Sequence, residues 1–155
     1  ERGFFARTFC QEEFEAHGLN PKIVQCSISY NNRKGTLRGM HYQIAPREET
    51  KLVSCTRGAI HDVIIDLRRG SPTYCKWIEA ELNAENHRML YIPEGFAHGF
   101  QTIEDDTDVF YQMSEFYASE YARGVRWDEP TFGIKWPLAN SVISKKDLNY
   151  PDFRR

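Results

Sequence analysis

The chain has 155 residues with a formal net charge of −2. That is one domain's worth of core, without the basic face that nucleic acid would need. No apolar run approaches the ~20 residues of a bilayer-spanning helix, and no secretory leader is visible. The start at Glu1, without a methionine, leads to the expectation of further residues upstream. Cys10, Cys26, Cys55 and Cys75 are widely spaced with no Cys-x-x-Cys pair. They read as reduced thiols of a cytoplasmic protein rather than a disulfide framework or zinc cluster.

In chain order, an aromatic-rich start containing Phe4, Phe5 and Phe9 leads to a brief helix predicted over residues 11–17, which Gly18 stops. The pattern then turns to β. Runs rich in Val, Ile, Tyr and Phe occupy residues 23–30, 36–43, 51–57, 59–67, 76–82, 88–92, 97–103 and 107–114, with Gly-, Pro-, Asn- and Asp-bearing turns between them. Short strands at this spacing predict an all-β sandwich or barrel with few helices. From Tyr121 onward the sequence reads as irregular, with Trp127, Phe132 and Trp136 expected to cap one end and Lys145-Lys146-Asp147 in a closing segment.

Side chains alternate along a strand, so spacing assigns faces. Over residues 59–67, Ala59, His61, Val63, Ile65 and Leu67 share a face, which is read as the core, while Asp62 and Asp66 look the other way. Lys51 travels with Val53 and Cys55, and Tyr111 with Val109 and Met113. Three polar groups (His41, Lys51 and Tyr111) at barrel-facing positions are tolerable only if the interior is an open pocket. Imidazole titrates near neutrality and can move protons, and the guanidinium of Arg38 suits an anionic, phosphate-bearing ligand. On a regular strand Arg38 and His41 would point to opposite faces, so a shared site requires a bulge at Gly39.

Pro93-Glu94-Gly95-Phe96-Ala97-His98 has the form Pro-x-Gly-x-x-His, the second half of a cupin barrel signature whose histidine often binds metal. The first half, His-x-His, is replaced by His41-Tyr42-Gln43. About three protein ligands are usual at a catalytic metal, so a metal-free cupin is preferred. A metal-dependent cupin enzyme using His41, His61 and His98 is the alternative.

The segments Lys34 to Gln43, Lys51-Leu52-Val53, Ser71-Pro72-Thr73, Ile92 to Phe100, Arg123 to Trp127 and Gly133 to Leu138 resemble dTDP-4-dehydrorhamnose 3,5-epimerases, over nearly the whole chain. The resemblance implies a single cupin jelly-roll domain over residues 1–155 and a homodimer. It also implies a cofactor-independent isomerase that inverts C3, C5 or both of a nucleoside-diphosphate 4-keto-6-deoxyhexose. A proton beside the ketone leaves to give an enolate and is returned on the opposite ring face. By motif match His41 is the base, Tyr111 the opposing acid, Asp147 the carboxylate paired with the histidine, and Lys51 the cation near the enolate oxygen. Arg2, Gln25, Arg38, His98 and Lys146 match substrate-binding positions, with Arg38 the diphosphate partner and Arg2 reaching the nucleotide, often across the dimer.

Three positions depart from the family pattern. Arg7 stands where a glutamate is usual, Ser27 ends a Gln-x-Asn motif that here reads Gln25-Cys26-Ser27, and Ala122 replaces a glutamate. All three belong to substrate recognition and leave the nucleotide and the sugar open. A third reading is a non-catalytic nucleotide-sugar binding protein. An acid and a base on opposed faces speak against it, since binding alone needs neither.

Overall fold

The computed structural model describes residues 1–140 and 142–154. Its elements are α1 (Gln11–Ala16), β1 (Gln25–Asn31), β2 (Thr36–Gln43), β3 (Lys51–Arg57), β4 (Ala59–Asp66), β5 (Trp77–Asn83), β6 (Met89–Ile92), β7 (Phe96–Thr102), β8 (Thr107–Met113), β9 (Ala122–Gly124), β10 (Val142–Ile143) and α2 (Lys145–Leu148). One sheet runs β1-β8-β3-β6; the other runs β10-β2-β7-β4-β5, with β9 added on β2. The two sheets face each other as an all-β cupin-type jelly roll with short peripheral helices, as the turn spacing predicts. The strands predicted over 36–43 and 51–57 match β2 and β3, and the other predicted strands differ by one or two residues at their ends.

Between the sheets Val53, Cys55, Ile60, Ile64, Leu82, Ile92, Phe100 and Val109 form a buried cluster. The face of β4 that lines this interior is therefore the one carrying Ile60, Asp62 and Ile64. This corrects the reading that put the core on the Ala59, His61, Val63 and Ile65 face. Val63 and Ile65 are also buried, but in a second cluster with Met40, Ala97, Val125 and Phe132 on the outer side of the larger sheet. Both faces of β4 are covered, so its apolar content could not say which one looks inward.

The same observation corrects the reading of the C-terminal third. Phe132 and Trp136 pack over that outer sheet face instead of capping an end. Hydrogen bonds from Trp77 Nε1 to the Phe132 carbonyl (2.8 Å) and from Trp136 Nε1 to the Trp127 carbonyl (2.9 Å) pin the cover. The half-buried region is not wholly irregular, since it supplies β9, β10 and α2. The carboxylate of Glu129 accepts from Thr131 N–H and Oγ1 and from Phe153 N–H, which ties the tail to the loop.

The Ser71-Pro72-Thr73 motif has a structural use. Buried Asp66 accepts hydrogen bonds from Arg68 through two nitrogens and from the hydroxyls of Ser71 and Thr73, closing the turn after β4. These donors, the Arg68 guanidinium foremost, hold the Asp66 carboxyl well below the usual carboxylate range.

Candidate active site

The site begins at an irregularity in β2. Its register against β7 passes from Arg38↔Phe100 to His41↔His98, so β2 carries one more residue than its partner over that step. The bulge sits at Gly39, whose φ of 132° lies where side chains are rarely found. A Cβ on Gly39 would stand 2.5 Å from Gly99 Cα, and one on Gly99 would stand 2.8 Å from the Arg38 carbonyl oxygen. Two facing glycines thus let the strands approach closely. The extra residue turns Arg38 and His41 to one side, and both line a cavity of about 360 Å³ between the sheets.

Into this cavity the larger sheet sends Arg38, His41 and His98, and the smaller sheet sends Lys51 and Tyr111; Lys146 of α2 and Ala122 of β9 also line it, as do Tyr42, Glu49, Tyr117, Arg123 and Tyr150. His41 and Tyr111 therefore look into one space from opposed sheets. Asp147 stands behind His41: Nε2 donates to Asp147 Oδ1 at 2.6 Å. The histidine side chain is 42% exposed and the carboxylate only 4%. Ser144 caps α2 by accepting from Asp147 N–H, and Gly39 N–H points at Asp147 Oδ2 at 3.4 Å. Burial alone would push the Asp147 carboxyl up, but His41, the Gly39 N–H and Ser144 together bring it below its ordinary value. An ionised carboxylate only accepts, so Nε2 carries the proton and Nδ1 keeps the lone pair a base requires.

A second carboxylate holds the second histidine. Buried His98 Nε2 donates to Asp62 Oδ1 at 2.5 Å, and Tyr111 packs edge-on against the His98 ring at 5.8 Å between centroids. Burial pushes the Tyr111 phenol far up, the Asp62 charge adds to this and Arg38 opposes it, so Tyr111 stands in the cavity as a protonated donor. Asp62 Oδ2 has no hydrogen-bond partner among the described residues. Lys51 Nζ pairs with Glu49 Oε1 at 3.0 Å, and both side chains are about nine-tenths buried; among the described residues the ammonium has no other ion-pair partner, and it lines the cavity.

The proposed metal set of His41, His61 and His98 does not assemble. His61 lies on the outer face of β4, against Trp136 and Glu79, and the Nε2 atoms of the other two are engaged by carboxylates. No cluster of three or more His, Cys, Asp or Glu suited to a metal occurs among the described residues.

The other expected binding residues divide. Gln25 starts β1 outside the cavity wall and its side-chain oxygen accepts from Tyr117 N–H at 2.9 Å; it supports a wall residue without joining the wall. Arg2 lies on the exposed N-terminal arm, away from the cavity. Of the departures, Arg7 pairs with Glu13 on the surface, Ser27 is exposed on β1 opposite Tyr111, and Ala122 lines the cavity. Sequence reasoning missed Asp62, Glu49, Tyr42, Tyr117, Arg123 and Tyr150. Strand alternation with Ile60 and Ile64 was a usable signal for Asp62; Tyr42 on β2 and Arg123 on β9 lie within motifs that carry the resemblance, and for Glu49, Tyr117 and Tyr150, contributed by loops and the tail, there was no signal.

A jelly roll that sets a carboxylate-held imidazole opposite a phenol, beside a buried ammonium, has the groups that acid–base isomerisation by a cupin-type enzyme calls for. The family model for dTDP-4-dehydrorhamnose 3,5-epimerase matches residues 1–155, and the chain belongs to that family of carbohydrate epimerases. It is similar to the dTDP-4-dehydrorhamnose 3,5-epimerase of Sinorhizobium fredii, 44% identical over 97% of this chain and 77% of that one. Among solved structures, the Bacillus anthracis enzyme with TDP and PPi bound superposes with a TM-score of 0.95 at 40% identity, covering 99% of this chain and 87% of that one. The Legionella pneumophila enzyme in complex with dTDP-4-keto-L-rhamnose gives 0.90 at 34% identity, covering 100% and 88%.

Proposed function

We propose that this epimerase acts on a nucleoside-diphosphate 4-keto-6-deoxyhexose, with His41 as base and Tyr111 as acid. The ketone acidifies the C–H bonds at C3 and C5. His41 Nδ1 takes one such proton, the enolate oxygen forms beside Lys51, and Tyr111 supplies a proton to the other face of the ring; His41 and Tyr111 recover their resting states by exchange with solvent. The observation that carries this reading is the approach of His41 and Tyr111 to one cavity from opposed sheets, which suits inversion and which binding alone does not require. Asp147 stabilises the imidazolium formed in the step. Arg38 and Lys146 are the groups proposed for the diphosphate and His98 for the sugar, with Gln25 acting through the Tyr117 backbone. Relatives crystallised with TDP or a dTDP-sugar support thymidine as the nucleoside.

We extend the proposal to one catalytic domain over residues 1–155, working as a homodimer in the cytoplasm. Arg2 then serves the partner's nucleotide site from an arm on which Phe4 is 70% and Phe5 99% exposed. The edge strand β1 presents Ile28 and Tyr30 nearby as exposed apolar surface. The four cysteines are free, as in a reducing compartment. Among the described residues no helix is long and apolar enough to cross a membrane.

The test is exchange in deuterium oxide with thymidine-, uridine-, guanosine- and cytidine-linked 4-keto-6-deoxy sugars. Deuterium is expected at C3 or C5 of the product, and His41→Ala should lower its incorporation at least ~10²-fold. The absence of both exchange and inversion with every sugar would overturn the proposal.

A further inference from the structure

We propose that Tyr150 is a positioning residue for the base: its ring, seated in a slot that Gly124 leaves open, fixes the plane of the His41 imidazole and closes the cavity on that side. The inference rests on the reading of His41 as the base.

The slot is built by the β2–β9 ladder, in which His41 pairs with Gly124. A Cβ on Gly124 would lie 2.2, 2.3 and 2.6 Å from Cζ, Cε2 and Cε1 of Tyr150, so a side chain and this ring cannot occupy the same place. Gly124 has no left-handed backbone angle that would itself call for glycine. Its missing side chain is explained by the ring above it. From that seat Tyr150 meets His41 edge-on, with centroids 6.0 Å apart and planes at 66°. It also lines the cavity.

Tyr150 follows Asp147 by three residues, so one short tail segment delivers two restraints on the same imidazole. The carboxylate holds Nε2 by a hydrogen bond, which alone leaves the ring free to swing about that contact. An aromatic edge against the ring removes this freedom on a side chain that remains 42% exposed. The ring and not the hydroxyl is the working part. Burial, then Asp147, Tyr117 and Tyr42, push the Tyr150 phenol up to about 12, so it remains neutral beside the base.

The test compares Tyr150→Ala, Tyr150→Phe and Gly124→Ala in deuterium exchange with the preferred keto sugar. Misplacing a catalytic group by about 1 Å costs on the order of 10²-fold. Tyr150→Ala should therefore lower kcat about 10- to 100-fold with KM changed less than about threefold, and Tyr150→Phe should restore it. Gly124→Ala should match Tyr150→Ala, and the double variant should be no worse than either single, because both remove one contact. A second readout needs no substrate: in Tyr150→Ala the His41 ring protons should lose a ring-current shift in the NMR spectrum while the thermal midpoint of the fold is retained. An unchanged kcat in Tyr150→Ala, or a Tyr150→Phe as slow as the alanine variant, overturns the proposal. If the wild-type chain exchanges no hydrogen with any keto sugar, the functional reading fails instead, and the His41 ring shift alone decides whether Tyr150 seats the imidazole; should Gly124→Ala not fold, the two Tyr150 variants decide.

Discussion

At the scale of single residues, the proposed mechanism divides proton transfer between two groups whose surroundings differ. His41 is half open to the cavity, with a sealed carboxylate behind it. Tyr111 is set against His98, where burial first and the Asp62 charge second disfavour the phenolate. A phenol kept protonated at neutral pH can give a proton to an enolate but is a poor first base. Removing the hydroxyl should therefore separate the two halves of the reaction. In Tyr111→Phe we expect proton abstraction by His41 to continue, seen as deuterium wash-in without inversion, while inverted product falls about 10²- to 10⁴-fold. Equal loss of wash-in and inversion would place Tyr111 in the first step and contradict the assignment.

At the scale of elements, the decisive piece is the β2 bulge. Without its extra residue Arg38 and His41 would diverge to opposite faces, and the groups proposed for anion binding and proton movement would belong to different spaces. The bulge depends on Gly39 and Gly99 approaching back to back, where an added Cβ meets backbone atoms below 3 Å. Backbone cannot swing aside as a long side chain can. Gly39→Ala should thus destabilise the fold by about 2–4 kcal/mol and abolish exchange even where some chain still folds. Denaturant titration with paired rate measurements checks this; a variant of wild-type stability and rate would show that the register shift is dispensable.

At the scale of the whole molecule, stability leans on buried carboxylates that the fold keeps ionised. Asp66 is held low chiefly by Arg68, Glu129 by the Phe153 N–H among others, and Asp147 falls below its ordinary value against the opposing effect of burial. A carboxyl whose folded pKa lies below its unfolded one contributes stability that is present above the unfolded value and is lost as pH falls toward the folded one. The thermal midpoint should therefore hold near neutrality and drop below about pH 4. Asp66→Asn should be less stable at neutral pH and show a shallower acid slope, and an unchanged slope would remove Asp66 from the account. The proposed dimer is checked by sedimentation at micromolar concentration, where a two-chain species is expected. Phe5→Ser with Ile28→Ser should shift it to monomer, and a wild-type monomer would contradict the proposal.

Strand alternation and turn chemistry made most of the architecture legible, because a sheet with a buried face imposes a period of two on its sequence. The same rule set His41, Lys51 and Tyr111 facing the interior and required a bulge at Gly39 for Arg38 and His41 to share a site. It failed on β4, where apolar residues cover both faces and the pattern carries no preference between inside and outside. Asp62, on the face taken for the outer one, in fact holds His98 within the barrel.

The succession of strands along the chain and the need for a bulge at Gly39 were thus determined by local sequence, since each depends on neighbours one or two positions away. The proposed acid, base and cation were picked out by the resemblance of their motifs to the family's. Only the tertiary structure decided which face of β4 turns inward, that Asp62 meets His98, and that the tail brings Tyr150 over Gly124 onto His41. Those outcomes depend on segments far apart in the chain packing against one another, and no short-range period encodes which distant surface will meet a given side chain.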